Sequence, residues 1–490
     1  MLGGPIMDFG KICKLPQDGD YILFNTIYHS NIVKGDRKSP DAITLIFKNL
    51  TTGKKVIREI ENPEIEIYMA KPDVQLGRYV HIDIPVDDVD IYDVSYKNKL
   101  RDMAKLLNKE DFYWDCLKRR QFSDLNQIMM CNRFFSADRN IEDFYRYKSL
   151  KYFGQKELRN TTKAFFDIEA DIMKGYIDLK KTEGDAPVNI VTLMDDITST
   201  SYTIIKREED NPLVAILEDD IQNFIPEAEE ALKEKYNLDI KVKIAFVDTE
   251  LDVITTLFAL INDLKRDFMM AWNQSFDCGY MIHRLKCLGV DPADVMCHED
   301  FKWKECFYAK DNRNFEIKKK TDWFKLSSYS VFIDQMINYA AIRKSGAKID
   351  SYKLDFIGEK EVNAGKLDYS EVSHLKYLPY VNFRKYVLYN IFDVGVQLAI
   401  ERKVKDLDDL FYRAYSSNTR FSKVFKEITF LTNVAFMDFE KYGVILGNNV
   451  NAITYNQEQK NLLVEEDVET GKQKFAGALN LLGNMLVISC

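Results

Sequence analysis

Short apolar strands alternate with helical segments through the middle of the chain, and this alternation limits the fold more than any other feature. The predicted strands cover residues 163–168, 188–194, 201–205 and 268–272, and the predicted helices cover residues 227–236, 251–264, 276–288 and 383–404. Strands that alternate with helices build a sheet covered by helices. The sequence therefore predicts an α/β (α+β) domain with a mixed sheet flanked by helices.

The part before residue 161 has a different, strand-rich pattern. Strands are predicted at 21–24, 42–47 and 55–60, and a helix near 94–107. A chain of 490 residues is too long for one ordinary core. We therefore expect a strand-rich N-terminal domain at 1–160 and a second domain at 161–405.

The net charge of −9 bears on how this chain contacts other molecules. It argues against a generally basic nucleic-acid binder. It is compatible with an enzyme that handles phosphate through metal ions held by carboxylates. Charge alone therefore leaves a nucleic-acid enzyme open.

The cysteines and the lengths of the apolar segments indicate the cellular compartment of the protein. No two of the eight cysteines form a C-x-x-C pair, and their spacing is not that of a disulfide framework. A zinc ion joining Cys287, Cys297, His298 and Cys306 can be imagined, but reduced thiols in a cytosolic protein are the preferred interpretation. No run of about 18 apolar residues predicts a membrane span, and the N-terminus lacks the regions of a signal peptide. We expect a cytoplasmic protein.

The motif FFDIEAD places two acids at the end of an apolar strand. Because side chains alternate between the faces of a strand, Asp167 and Glu169 point the same way while Ile168 points into the core. Two neighbouring carboxylates repel each other unless a divalent cation lies between them. The motif indicates a metal site, although solvated acids are also common at strand ends.

The motif WNQSFDCGY lies where a strand turns into a helix. The strand ends at Trp272, the chain turns at Asn273, and Asp277 begins the helix. Asp277 therefore has two interpretations. It is a functional acid, or it complements the positive end of the helix dipole.

The motif YNIFD lies on a late helix. Tyr389 and Asp393 are neighbours there, because residues i and i+4 share one helix face. Val387 and Ile391 are among the apolar residues that bury this face. The pair indicates a functional site or, alternatively, a Tyr–Asp hydrogen bond at the edge of the core.

The order of the three motifs is more specific than any one of them. D-x-E on a strand, N-x(2–3)-F-D at a strand-to-helix turn and Y-x3-D on a late helix resemble the Exo I, Exo II and Exo III motifs of family B DNA polymerases, whose exonuclease is of the DEDDy 3′→5′ type. The segments SYKLDFIGEKEVNAGKLDY and VFIDQMINY, the latter containing Asp334, are similar to the T4-like phage enzymes. A predicted hairpin of residues 303–309 and 315–324, with Lys318, Lys319 and Lys320, lies where those enzymes carry a hairpin that helps part primer from template.

The resemblance implies an organisation for the whole chain. It implies an RNase H-like exonuclease domain at 161–405, a helical return to the N-terminal domain at 406–455 and a segment upstream of a polymerase palm at 456–490. The palm motifs D-x-x-S-L-Y-P and D-T-D do not occur in this sequence. We therefore expect no polymerase active site in this chain, and a palm-bearing polypeptide and a sliding clamp as partners. The apolar stretch 476–488 packs either on that partner or on the N-terminal domain.

The resemblance also implies a mechanism of proofreading in DNA replication. Asp167, Glu169, Asp277 and Asp393 would hold two Mg²⁺ or Mn²⁺ ions about 4 Å apart. The first ion would be held by Asp167, Glu169 and Asp393. The second ion would touch Asp167 and be reached by Asp277. Tyr389 would orient the attacking water, because a phenol with a pKa near 10 is a poor base.

The remaining residues that the resemblance implies bind the substrate. Asn273 and Phe276 would position the terminal nucleotide of a single-stranded 3′ end, and Lys366 would reach the scissile phosphate or remain a surface lysine. The products would be nucleoside 5′-monophosphates. Two alternatives stay open: a non-catalytic DNA-binding or assembly subunit, and a free-standing DEDDy exonuclease. All five catalytic residues are present, which counts against the first alternative.

Overall fold

A computed structural model defines most of the chain. It describes residues 9–16, 19–33, 35–36, 38–76, 83–129, 131–159, 161–346, 348–365, 367–368 and 370–448, together with the backbone of 464–466 and 473–475. These residues fall into two compact units. The larger unit contains Phe9–Glu61 and Tyr145–Asn433, and the smaller contains Asn62–Phe144 and the described residues from Val434 onward.

The described part of the chain contains 20 strands. They are β1 Tyr21–His29, β2 Ala42–Asn49, β3 Lys55–Glu61, β4 Glu64–Ala70, β5 Asp83–Pro85, β6 Val89–Ser95, β7 Phe134–Phe135, β8 Lys163–Ala170, β9 Ile177–Asp178, β10 Glu183–Gly184, β11 Val188–Asp195, β12 Thr200–Lys206, β13 Lys241–Val247, β14 Phe268–Ala271, β15 Cys306–Ala309, β16 Trp323–Leu326, β17 Val331–Asp334, β18 Val444–Leu446, β19 Val464–Glu466 and β20 Gln473–Phe475.

The same described residues contain 16 α-helices. They are α1 Phe9–Cys13, α2 Lys99–Leu106, α3 Glu110–Lys118, α4 Asn126–Met129, α5 Ile141–Phe153, α6 Pro212–Asp219, α7 Ile221–Tyr236, α8 Glu250–Leu264, α9 Gln274–Cys287, α10 Pro292–Met296, α11 Gln335–Ile342, α12 Leu354–Val362, α13 Leu378–Val381, α14 Phe383–Val404, α15 Asp406–Ser416 and α16 Glu427–Lys441.

A six-stranded sheet organises the larger unit. Its strand order is β13–β12–β11–β8–β14–β17. β11 pairs antiparallel with both β8 and β12, whereas β12–β13, β8–β14 and β14–β17 are parallel pairs. The sheet is therefore mixed, as the sequence predicts.

Helices cover both faces of this sheet, because its central strand is apolar on both sides. On β8, Phe165 belongs to the core that includes Val387 and Ile391 of α14. Its neighbour Phe166 points the other way, into the core that includes Leu257 of α8. A mixed sheet between two helical layers confirms the predicted RNase H-like, α/β (α+β) fold.

The remaining sheets are small. In the larger unit, β1, β2 and β3 form an antiparallel sheet, β9 pairs with β10, and β15 pairs with β16. In the smaller unit, β4 lies between β6 and β7, β5 pairs with β18, and β19 pairs with β20. The predicted division at 160, 405 and 455 stays a prediction, and most of the predicted segment 456–490 lies outside the described residues.

Several predicted elements are wrong in their bounds. The strand predicted at 21–24 extends to His29, the helix predicted at 227–236 begins at Ile221, and the strand predicted at 303–309 begins at Cys306. The helix predicted at 94–107 begins only at Lys99, because Val94 pairs with Ile65 in the sheet of the smaller unit. The second hairpin strand, predicted at 315–324, begins only at Trp323. The Asp311 carboxylate accepts hydrogen bonds from the backbone N–H groups of residues 313, 314 and 321, and such local bonds compete with strand pairing.

Within the described ranges, no helix combines the length and the apolar character that crossing a membrane requires.

Candidate metal centre

Strand β8 carries the first two predicted acids. Asp167 is paired with Thr192 of β11 and Glu169 with Ile190, so the two acids stand on the same face of the sheet. Both residues are partly exposed, whereas Ile168 between them is buried. The alternation predicted for the FFDIEAD motif is thus present, with the acids on the face that α14 covers.

Helix α14 carries the last two predicted residues. The helix begins after Asn382, whose side chain accepts a hydrogen bond from Lys385 N over 3.0 Å. It packs against β8 and β11, and most of its residues from Tyr386 onward are buried. Tyr389 and Asp393 are buried members of this helix. The polar pair is held in place by the apolar packing around it.

Three carboxylates from these two elements meet at one point. One ligand oxygen from each of Asp167, Glu169 and Asp393 lies within 4.8 Å of the other two. Three carboxylates at this separation repel each other in the absence of a cation. Oxygen ligands of this kind suit hard divalent cations such as Mg²⁺ and Mn²⁺. The residues present therefore fit a divalent metal site.

Asn390 supports the cluster from within the YNIFD motif. Its side chain is fully buried and donates a hydrogen bond from Nδ2 to Asp167 Oδ2 over 3.0 Å. Sequence reasoning missed this residue. A signal existed, since Asn390 precedes Asp393 by three positions and so shares its helix face.

The turn after β14 carries the remaining predicted residues. Asn273 precedes helix α9, and its side chain makes no capping hydrogen bond. Asp277 lies in the first turn of α9 and is buried. The ring of Phe276 stacks on Tyr280 with centroids 5.4 Å apart, and the Tyr280 hydroxyl donates to Ala186 O over 2.6 Å. The aromatic stack gives Phe276 a defined position.

An open cleft of about 1230 Å³ joins the three elements. Asp167, Glu169, Asn273, Phe276, Asp277, Tyr389 and Asp393 all line it. Asp277 is outside the cluster of three carboxylates but faces the same cleft. Lys366 lies outside the described residues, so its predicted role stays a prediction.

The cleft is strongly acidic. Its described lining contains seven carboxylates, Asp167, Glu169, Asp277, Asp350, Asp355, Asp368 and Asp393. The single basic side chain among the described lining residues is Lys353, which sequence reasoning also missed. An anionic substrate that enters such a cleft needs additional positive charge, which supports the requirement for bound cations.

A smaller cavity adjoins the cleft beyond Glu169. It measures about 140 Å³ and shares Glu169 and Phe276 with the cleft. Tyr386 forms part of its wall, and burial raises the pKa of this phenol, with Glu169 and Asp171 adding to the rise. The hydroxyl therefore stays protonated at neutral pH, and it donates to Asn189 Oδ1 over 3.2 Å.

An RNase H-like sheet with a carboxylate cluster facing a cleft is the arrangement of a metal-dependent nuclease. Comparison with protein families agrees: residues 56–357 match DNA polymerase family B, exonuclease domain. The match covers more than half of the chain, so this chain belongs to the family B DNA polymerases through their exonuclease domain. It includes Asp167, Glu169 and Asp277 and ends before the YNIFD motif. Comparison with curated proteins finds no match.

Proposed function

We propose that this chain is a proofreading 3′→5′ exonuclease of a family B, phage-like DNA polymerase. It would remove 3′-terminal nucleotides of DNA as nucleoside 5′-monophosphates. The observation that carries the proposal is the cluster of Asp167, Glu169 and Asp393, whose ligand oxygens lie within 4.8 Å of one another beside an open cleft. The cleft volume of about 1230 Å³ exceeds the roughly 300–1000 Å³ of small-molecule pockets and suits an extended strand.

The carboxylates would hold the metal ions. Asp167, Glu169 and Asp393 would bind one Mg²⁺ or Mn²⁺ ion, and Asp277 with Asp167 would bind a second. Bound divalent ions lower the pKa of water and offset the charge that develops on the phosphate and the leaving 3′ oxygen. Asn390 would hold the Asp167 carboxylate in the orientation that ligation requires.

Other residues of the cleft would orient the reactants. Tyr389 would hold the attacking water by a hydrogen bond. Phe276, fixed by its stack on Tyr280, would pack against the terminal nucleotide, and Asn273 would donate to it. Lys353 would contact a phosphate at the cleft wall, in addition to the predicted Lys366.

The partners implied by the resemblance belong to this proposal as well. They are a primer–template with a frayed 3′ end, a sliding clamp and the palm of a polymerase, with cytoplasmic replication as the setting. Membership in the family supports these partners. The acidity of the cleft favours single-stranded over duplex DNA as the substrate, because a single strand brings fewer negatively charged phosphates into the cleft than a duplex does.

Degradation of labelled DNA tests the proposal. A 5′-labelled single-stranded oligonucleotide with Mg²⁺ or Mn²⁺ should give a ladder that shortens from the 3′ end, and mismatched primer ends should be cut faster than paired ones. EDTA should stop the reaction. Intact substrate at enzyme excess with either metal would contradict the proposal.

Two double variants complete this test. Asp167→Ala with Glu169→Ala should abolish cleavage and leave the fold intact, because the relief of repulsion between two acids opposes the loss of the hydrogen bond from Asn390. Glu230→Ala with Glu234→Ala is the matched control, since it removes two exposed acids from α7. The control should cleave at the wild-type rate. Equal cleavage rates in the two double variants would show that Asp167 and Glu169 take no part in the reaction.

A further inference from the structure

The helix that carries Asp277 is capped from another strand. Asn273 precedes helix α9 but makes no side-chain capping bond. Instead, the N–H group of Gln274, the first residue of the helix, donates to Asp334 Oδ2 over 3.0 Å. Asp334 ends strand β17, where it pairs with Ala271 at the end of β14. A carboxylate at this place also complements the positive end of the helix dipole.

The same carboxylate caps a second helix. Asp334 precedes α11, and its Oδ1 accepts a hydrogen bond from Ile337 N over 2.8 Å. Both oxygens of one buried side chain are thus used, one for each helix. Asp334 therefore joins the start of α9 to the start of α11 and to the edge of the sheet.

The start of α9 forms part of the wall of the cleft. Ser, Thr, Asp or Asn before a helix ordinarily turns its side chain back onto the helix as a cap. Such a cap accepts from the second or third N–H group of the helix, whereas Asp334 accepts from the first, which an N-cap side chain does not reach. At α9 Asp334 therefore holds the first N–H group, while the Asn273 side chain lines the cleft. Phe276 and Asp277 lie within the first turn of the same helix, so the position of that turn sets theirs as well.

We infer that Asp334 is a positioning residue, which holds the first N–H group of α9 and so fixes the turn that presents Asn273, Phe276 and Asp277 to the substrate and metal. This inference rests on the proposed function, because those three residues are its proposed substrate and metal contacts. Asp334 itself is outside the described lining of the cleft. It acts through the backbone of Gln274.

Replacement of Asp334 by serine separates its two bonds. A serine hydroxyl still caps α11, because serine is a preferred capping residue, but its single oxygen does not serve both helices. Asp334→Ser should therefore keep most of the stability that Asp334→Ala loses. It should nevertheless lower kcat about 10- to 100-fold and raise the Mg²⁺ concentration that gives the half-maximal rate. Assays at about pH 8.5 suit this comparison, because burial raises the pKa of Asp334 to about 7 and the ionised form accepts both bonds.

A second pair of variants tests the donor instead of the acceptor. Gln274→Pro removes the N–H group at the first helical position, where proline is well tolerated, and keeps the Asp334–Ile337 bond that caps α11. It also favours a larger ψ at Asn273 than the observed 74°, so its rate is read together with that of Asp334→Ser. Gln274→Ala removes the same side chain and keeps the N–H group. Gln274→Pro should slow the reaction as Asp334→Ser does, whereas Gln274→Ala should keep the wild-type rate. The double variant Asp334→Ser with Gln274→Pro should be no slower than either single variant, because both substitutions remove the same hydrogen bond.

Thr249→Ala is the control for the loss of a helix cap. Thr249 Oγ1 accepts a hydrogen bond from Asp252 N over 3.1 Å at the start of α8, away from the cleft lining. The variant should lower the melting temperature and leave kcat and the Mg²⁺ requirement unchanged. Wild-type kcat in Asp334→Ser would overturn the inference, as would equal rates in Gln274→Pro and Gln274→Ala.

Hydrogen exchange gives a readout that does not depend on nuclease activity. In Asp334→Ser the amide of Gln274 should exchange at least about 10-fold faster than in the wild type, whereas the amide of Ile337 should keep its protection. If the wild type cleaves no DNA, the proposed function fails and the exchange data still decide whether Asp334 holds α9. Unchanged exchange at Gln274 would overturn the inference even if the wild type is active.

Discussion

Asn390 donates a hydrogen bond from Nδ2 to Asp167 Oδ2 over 3.0 Å, and this bond joins helix α14 to strand β8 within the carboxylate cluster. The two residues are 223 positions apart in sequence. Asp393, three positions after Asn390, contributes its own carboxylate to the same cluster. The helix therefore supplies both a ligand and the group that orients another ligand.

Replacement of Asn390 by alanine tests this bond. Asn390→Ala should lower cleavage about 10- to 100-fold and raise the Mg²⁺ concentration for half-maximal rate, because groups that orient metal ligands have effects of this size. Steady-state rates over a Mg²⁺ titration measure both quantities. Asn211→Ala is the matched control, since Asn211 is buried and donates to Pro379 O outside the cleft lining. An equal rate loss in both variants would assign the effect to general destabilisation.

Tyr389→Phe should slow cleavage less than the loss of the β8 acids. The substitution removes one hydrogen bond, worth about 0.5–1.5 kcal/mol, which corresponds to a roughly 2- to 10-fold decrease in rate. Single-turnover cleavage of a labelled oligonucleotide measures the chemical step. A variant as inactive as Asp167→Ala with Glu169→Ala would show that Tyr389 does more than orient water.

Asp267→Asn should strongly destabilise the larger unit. Asp267 is buried, with Lys48 Nζ 2.5 Å from Oδ2 and Lys55 Nζ 3.0 Å from Oδ1. Loss of the carboxylate leaves two buried ammonium groups uncompensated, which costs about 3–5 kcal/mol. Urea denaturation measures the change. Asp409→Asn, which breaks the exposed pair with Arg413, should change stability by less than about 1 kcal/mol; a similar loss in both variants would contradict the role assigned to burial.

Glu401→Gln should change how stability depends on pH. Burial raises the pKa of Glu401 to about 7, although Lys163 and the N–H group of Leu407 oppose the rise. Between about pH 4.3 and pH 7 the unfolded chain has released this proton and the folded chain keeps it, so the folded state becomes less stable as the pH rises. The stability of the wild type relative to Glu401→Gln should therefore fall from about pH 5 to pH 7 and level off above about pH 8. A constant difference across this range would refute the shifted pKa.

Local sequence determined the elements and the candidate acids. Alternating faces on β8 follow from strand geometry, so FFDIEAD alone placed Asp167 and Glu169 on one side. The helix predicted at 383–404 has the observed bounds, because its apolar content and the capping Asn382 are both local signals. Local sequence failed at 315–322, where Asp311 accepts from the backbone N–H group of Thr321 and from those of residues 313 and 314 just before the segment.

Contacts between distant segments were decided only by the tertiary structure. YNIFD marked Tyr389 and Asp393, but the distance of their helix from β8 depends on how the apolar faces of both elements pack. The bonds from Asn390 to Asp167 and from Gln274 to Asp334 cross 223 and 60 positions. Such bonds leave no periodic pattern in the sequence, because hydrogen bonds between distant residues depend on the folded positions of both partners. The sequence by itself determined which side chains are available for chemistry, and tertiary packing decided which of them meet.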